Sequence, residues 1–187
     1  GAWVLVLNVA LWLYCGWRPE TGWLWIVFAG WDIDLAVLVL GPMIVNLALF
    51  AVVESLQRTR YEHIAPAWLG RVVLTYAIGF ATWAGIVAIF GSELDSRRSG
   101  DALALLILLG AFGCIAAYAV RQRADVFPLA LIAGSLIVLT TSALGDALGA
   151  SDMGAFFVLA LWLIASSTVS GRLLMKLVRT WQPEANA

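Results

Sequence analysis

Five stretches of this sequence run for about a membrane's thickness almost without charge: roughly 35–56, 72–91, 102–120, 126–148 and 155–176. An α-helix rises 1.5 Å per residue, so about twenty apolar residues cross a hydrocarbon core of about 30 Å. Nothing constrains the fold more, because a helix that is apolar all round needs either a large protein core or lipid around it. A chain of 187 residues cannot bury five of them in a core of its own. Composition agrees: 63% of residues are hydrophobic and only 12% are charged. Soluble domains hold about 45–50% and about 25% respectively. The fold class this predicts is all-α, a polytopic transmembrane helix bundle forming one domain over residues 1–187.

A sixth apolar run, 2–17, is shorter but completes a set of about six spans. Residues 22–31, rich in tryptophan, are too few to cross alone and read as a segment lying at the interface. The chain opens on Gly1, with neither the basic flank nor the cleavage site of a signal peptide. Gly1 therefore reads as an interior position, with a further N-terminal part expected before it.

Six spans sort the connecting segments onto two sides. One side collects Arg58, Arg60, Arg71, Arg121, Arg123, Arg172, Lys176 and Arg179, and the other only Arg18, Arg97 and Arg98. Lys and Arg favour the cytoplasmic side, which predicts a cytoplasmic C-terminus in a bacterial inner membrane. The aromatic residues follow the same frame. Trp17, Trp23, Trp25 and Trp31 fall near the outer interface, and Trp68 and Trp181 near the inner one, where amphipathic rings anchor to headgroups. Arg172, Lys176 and Arg179, spaced by four and three at the end of the last span, share a helical face and should meet anionic lipid.

The acidic residues carry the chemistry worth weighing. Asp34 stands where it can cap the helix that begins at Leu35, with Asp32 among water or headgroups. The alternative is an outer-face ion or proton site. Two residues apart, these carboxylates diverge on a helix, so a shared cation would need an irregular turn and further ligands. Asp146 is the leading candidate for an ion or proton site, because ionisable residues in spans tend to line cavities. Ser135, Ser142 and Asp146 follow at intervals of seven and four, along one face. Its place near the outer end of a span equally fits a helix-end residue.

Glu54, four residues before Arg58, reads as one half of a helical ion pair. Asn8, Asn46, Thr82, Ser135 and Ser166 all fall near mid-depth, where small polar groups are expected to bond between helices. The small residues of "GAFG" at 110–113 and "ASSTVSG" at 165–171 are expected to let helices approach closely. Pro42, in a Gly-Pro pair, should bend the second span. Cys15 and Cys114 both sit in apolar runs, near opposite faces, and read as small buried side chains rather than a disulfide.

Several chemistries lack their residues. The sequence holds one histidine, His63, so bis-histidine haem ligation within the chain is excluded. It has no HExxH, no Cys/His cluster, no GxSxG and no phosphate-binding glycine loop. No catalytic residue, metal or cofactor is therefore expected. Basic residues are too few and too scattered for nucleic acid.

From about residue 43 onward the landmarks form a familiar order. A span closes on "FAVVESLQ", a loop ending "PAWLGRVVLTYAI" follows, and "YAVRQRADVFPLALIAGSLIVLTTSALGDAL" opens a later span with the pattern R-x-D-x-F-x-L. The last span, "GAFFVLALWLIASSTVSGRLLMKLVRTW", has a basic end. This order resembles the C-terminal half of a group of uncharacterised bacterial polytopic membrane proteins, classed as domains of unknown function. The resemblance implies further N-terminal spans and no catalytic residues.

Short loops, uncharged span interiors and plentiful small residues together predict a non-enzymatic integral membrane protein. Its expected role is an accessory or structural subunit of a larger assembly, with the lipid bilayer and other membrane subunits as partners. The competing reading is a small-solute or ion transporter using Asp146, with Asp32 and Asp34 at the outer mouth.

Overall fold

Hydropathy locates the apolar part of a helix, and hydrogen bonding decides where the helix itself ends. The computed structural model describes residues 6, 8, 10, 35–57, 66–90, 98–123, 125–149 and 153–181. It has five long helices, α1 (Leu35–Gln57), α2 (Ala67–Phe90), α3 (Arg98–Tyr118), α4 (Val126–Ala147) and α5 (Met153–Trp181). A π-helical turn, Ala119–Arg123, continues directly from α3. There is no strand among the described residues, and all five helices are long and apolar enough to cross a membrane. The chain is all-α, with the make-up of an integral membrane protein. The expected run 2–17 lies outside the described residues except for Val6, Asn8 and Ala10, each helical, and the segment 22–31 lies outside them altogether.

α1 and α4 keep close to their predicted limits, whereas α2, α3 and α5 run past theirs. α2 begins at Ala67 rather than at 72, directly after Pro66, whose carbonyl accepts from the Leu69 N–H at 2.9 Å. α3 begins at Arg98 rather than at 102, and α5 ends at Trp181 rather than at 176. The added turns hold Arg71, Arg98 and Arg179. Arg and Lys are good helix formers with stems that lie along apolar surface, so the backbone ladder continues where the hydropathy falls.

Residues Gly1–Ala104 and Leu105–Ala187 form two compact units, with α3 crossing the division. In the first unit α1 packs along α2. Leu40, Met43, Asn46 and Val53 present one buried face of α1, at helical spacing. α2 buries Leu69, Val73, Ala77, Phe80, Ala81, Ala84 and Ala88. The alanines keep the helix surface low, and Phe80 supplies the bulk. At one end Val53, Leu69 and Val73 form a cluster closed by Leu49, Phe50 and Leu56. A Cβ on Gly70 would meet Phe50, Gln57 and Val53 in ordinary contact, so this glycine belongs to the seam. Gln57 closes the end of the pair, donating from Nε2 to the Pro66 carbonyl at 3.1 Å.

In the second unit α4 starts on a side-chain cap. Asp125 is extended (φ −100°, ψ 121°), and its Oδ1 accepts from the Phe127 N–H at 3.1 Å. Pro128 follows in the first turn, where its missing N–H costs no helical bond. The pattern R-x-D-x-F-x-L thus has a local physical meaning as a helix start. At the far end Gly149 takes a left-handed conformation (φ 58°), and its N–H bonds the Asp146 carbonyl at 3.1 Å. This is a helix-terminating glycine, the one residue type that adopts that conformation without strain.

Candidate functional site

Of the residues marked by sequence, Asp32, Asp34, Trp17, Trp23, Trp25 and Trp31 lie outside the described residues, as do Cys15, Arg58 and His63. Asp146 sits in the last turn of α4, with its side chain exposed. Its backbone carbonyl, rather than its carboxylate, serves the helix end. A negative charge there faces the negative end of the helix dipole, so the side chain adds no capping stabilisation to α4. Along the face it shares, Ser135 is buried, Ser142 half-buried and Asp146 exposed, so this face runs from the packed interior to the surface. No group of three or more His, Cys, Asp and Glu placed to hold a metal occurs among the described residues.

Arg172, Lys176 and Arg179 are all exposed on the last three turns of α5, which carries no acidic residue. Trp68 is exposed in the first turn of α2, and Trp181 closes α5 half-buried. Cys114 is an exposed free thiol, contrary to the expectation of burial, because its position on α3 turns away from the packed face of Ala104, Leu108 and Phe112.

Three of the mid-depth side chains each make a bond within their own helix. Thr82 donates to the Ile78 carbonyl at 2.8 Å, Ser166 to Trp162 at 2.7 Å, and Asn46 from Nδ2 to Pro42 at 2.9 Å. Each bond returns to the same helix, one turn back. That carbonyl is always within reach of a Ser, Thr or Asn side chain, whereas a partner across the interface requires the correct register. A side-chain bond that does cross helices joins Trp162 Nε1 to Thr140 Oγ1, at 3.3 Å, between α5 and α4. Neither residue stands out in the sequence, since a tryptophan within a span reads as bulk rather than as a donor.

That bond marks one limit of a groove of about 400 Å³ between α4 and α5. The helices meet where Gly145 faces Leu159, at 3.8 Å for a notional Cβ, and beyond Thr140 and Trp162 the groove opens. Leu129, Ala133 and Leu136 line it from α4, and Ser166, Ser170 and Leu177 from α5. Thr140 and Ser166 both spend their hydroxyl protons on carbonyls of their own helices, at 2.8 Å and 2.7 Å. The groove therefore offers mainly hydrocarbon surface. The glycines of "GAFG" have no comparable setting. Added Cβ atoms at Gly110 and Gly113 would meet nothing within 4 Å, so among the described residues they mediate no close helix approach.

Comparison with known proteins gives no relative to set beside this geometry: no family model, no curated protein and no solved structure matches the chain.

Proposed function

We propose that this chain is a non-enzymatic accessory or structural subunit of a larger membrane assembly. The observation that carries the reading is α5. Only 6% of its membrane-length window is buried within the chain, against 50% for α2. Phe156, Phe157, Leu161, Ile164 and Val169 all stand exposed along it. Lipid alone satisfies such a surface, but the groove beside it, walled mainly by leucines with Ala133, Ser166 and Ser170 among them, is an apolar recess that a partner helix can fill. The distribution of Lys and Arg supports a cytoplasmic C-terminus and an inner-membrane location. The order of sequence landmarks supports kinship with the bacterial membrane-protein group described above.

The test is extraction from the native membrane in mild detergent, followed by mass spectrometry of the intact particle. A defined set of co-purifying subunits is expected. A solitary chain would refute the subunit reading and turn attention to transport. Flux through reconstituted vesicles carrying Asp146→Asn would then be the next measurement.

A further inference from the structure

The groove between α4 and α5 has a depth that its residues fix. Thr140 and Trp162 close it at one limit, and Trp162 stands at the middle of the uncharged stretch 153–171 of α5. From Thr140 to Leu129 along α4 is eleven residues, about 16 Å, and from Trp162 to Arg172 along α5 is ten, about 15 Å. Half of a hydrocarbon core is also about 15 Å. The groove therefore runs from the midplane to one membrane surface and spans a single leaflet. A helix that crosses the membrane is about twice as long. An acyl chain, which starts at the headgroups and ends near the midplane, matches it.

The open end carries charge of one sign. Leu173 and Leu177 line the groove there, and Lys176, exposed, follows Leu173 by three residues and so lies beside that wall. Arg121, also exposed, stands five residues ahead of Val126, where α4 begins. Among the described residues of this unit, the acidic side chain at that end is Asp125, and its Oδ1 is engaged as the α4 cap. We propose that the groove is a lipid site: it holds one acyl chain of an anionic phospholipid, whose phosphate meets Lys176 and Arg121. The inference goes beyond the subunit reading and does not depend on it. Ile164 stands two residues from both Trp162 and Ser166, hence on the opposite side of α5, so an acyl chain in the groove leaves that side open to a partner.

Native mass spectrometry reads the site in the full chain, delipidated in detergent and titrated with phosphatidylglycerol or with phosphatidylcholine of the same acyl chains. One phosphatidylglycerol retained per chain is expected, at lower concentration than phosphatidylcholine requires. A cation at an anionic lipid surface changes binding about fivefold, so Lys176→Gln should lower the preference by about that factor, and adding Arg121→Gln should lower it further. Arg179→Gln should leave it unchanged, because Arg179 stands two residues past Leu177, on the far side of α5. Ser170→Phe places a ring in the groove and should remove retention of both lipids. Ala133→Leu narrows the groove from the other wall and keeps the test intact if the phenylalanine variant does not fold. Equal retention of the two lipids by the wild-type chain overturns the proposal, as does retention unaffected by both groove-filling substitutions. A particle that retains no lipid and holds a second copy or another helix in its place overturns it in favour of a protein occupant.

Discussion

The two helix pairs, α1–α2 and α4–α5, are made of similar residues and are packed differently. Half of the membrane-length window of α2 is buried within the chain, against 22% for α4 and 6% for α5. The difference does not follow hydropathy, which is high in all of them. α2 buries alanines at positions 77, 81, 84 and 88 together with Phe80, and meets α1 through Leu69, Gly70 and Val73 against Phe50 and Val53. α4 and α5 meet at Gly145 and Leu159 and at Thr140 and Trp162, and elsewhere expose leucines and phenylalanines. In lipid, apolar surface gains little by leaving hydrocarbon, so helices stay together through close packing and hydrogen bonds rather than through greasiness. By that criterion α2 alone buries half of its window within the chain, while α1, at 28% buried, presents surface outward as α4 and α5 do.

The largest break in this contrast should come from Phe80→Ala. Phe80 is 1% exposed, and truncating a buried phenylalanine typically costs about 3–5 kcal/mol. Phe157, at 67% exposure, should lose no more than about 0.5 kcal/mol on the same change. Reversible unfolding of both variants in mixed micelles measures the gap, and equal losses would show that α5 packs as tightly as α2. A smaller effect is expected at the glycines. Gly70→Leu forces volume against Phe50 and Val53 and should cost about 1–3 kcal/mol. Gly113→Leu has open space and should be near neutral for the isolated chain. If Gly113→Leu instead removed a co-purifying subunit, the contrast would sharpen, since α3 would then carry an external contact. The smallest effect belongs to Thr140→Val, which removes the bond from Trp162. A double-mutant cycle with Trp162→Phe should give a coupling of about 0.6 kcal/mol, the usual value for interhelical bonds in membranes.

Spans were legible because length and apolarity are conditions that lipid imposes on every segment separately. Asp125 shows a finer signal that could also be read: an acidic residue directly before an apolar run, with a proline in the first turn, fits a helix start. Gly110 and Gly113 show what could not. A small residue announces close approach only if its face is turned to a neighbour, and one span's sequence does not contain that orientation. Ser166 and Asn46 show another limit: each has an acceptor in its own helix that needs no tertiary partner, and that local bond is made.

α5 has a consequence as a ruler. Its 29 residues make a rod about 44 Å long. The uncharged part, 153–171, accounts for about 28 Å, close to the thickness of a hydrocarbon core. The remaining turns carry their cations at graded heights, Arg172 at the base, Lys176 about 6 Å up and Arg179 about 10 Å up. Headgroups add about 5–8 Å on each side of a hydrocarbon core. A helix that fits the core with its uncharged part would therefore hold Arg172 and Lys176 at the depth of the lipid phosphates and Arg179 at their outer edge.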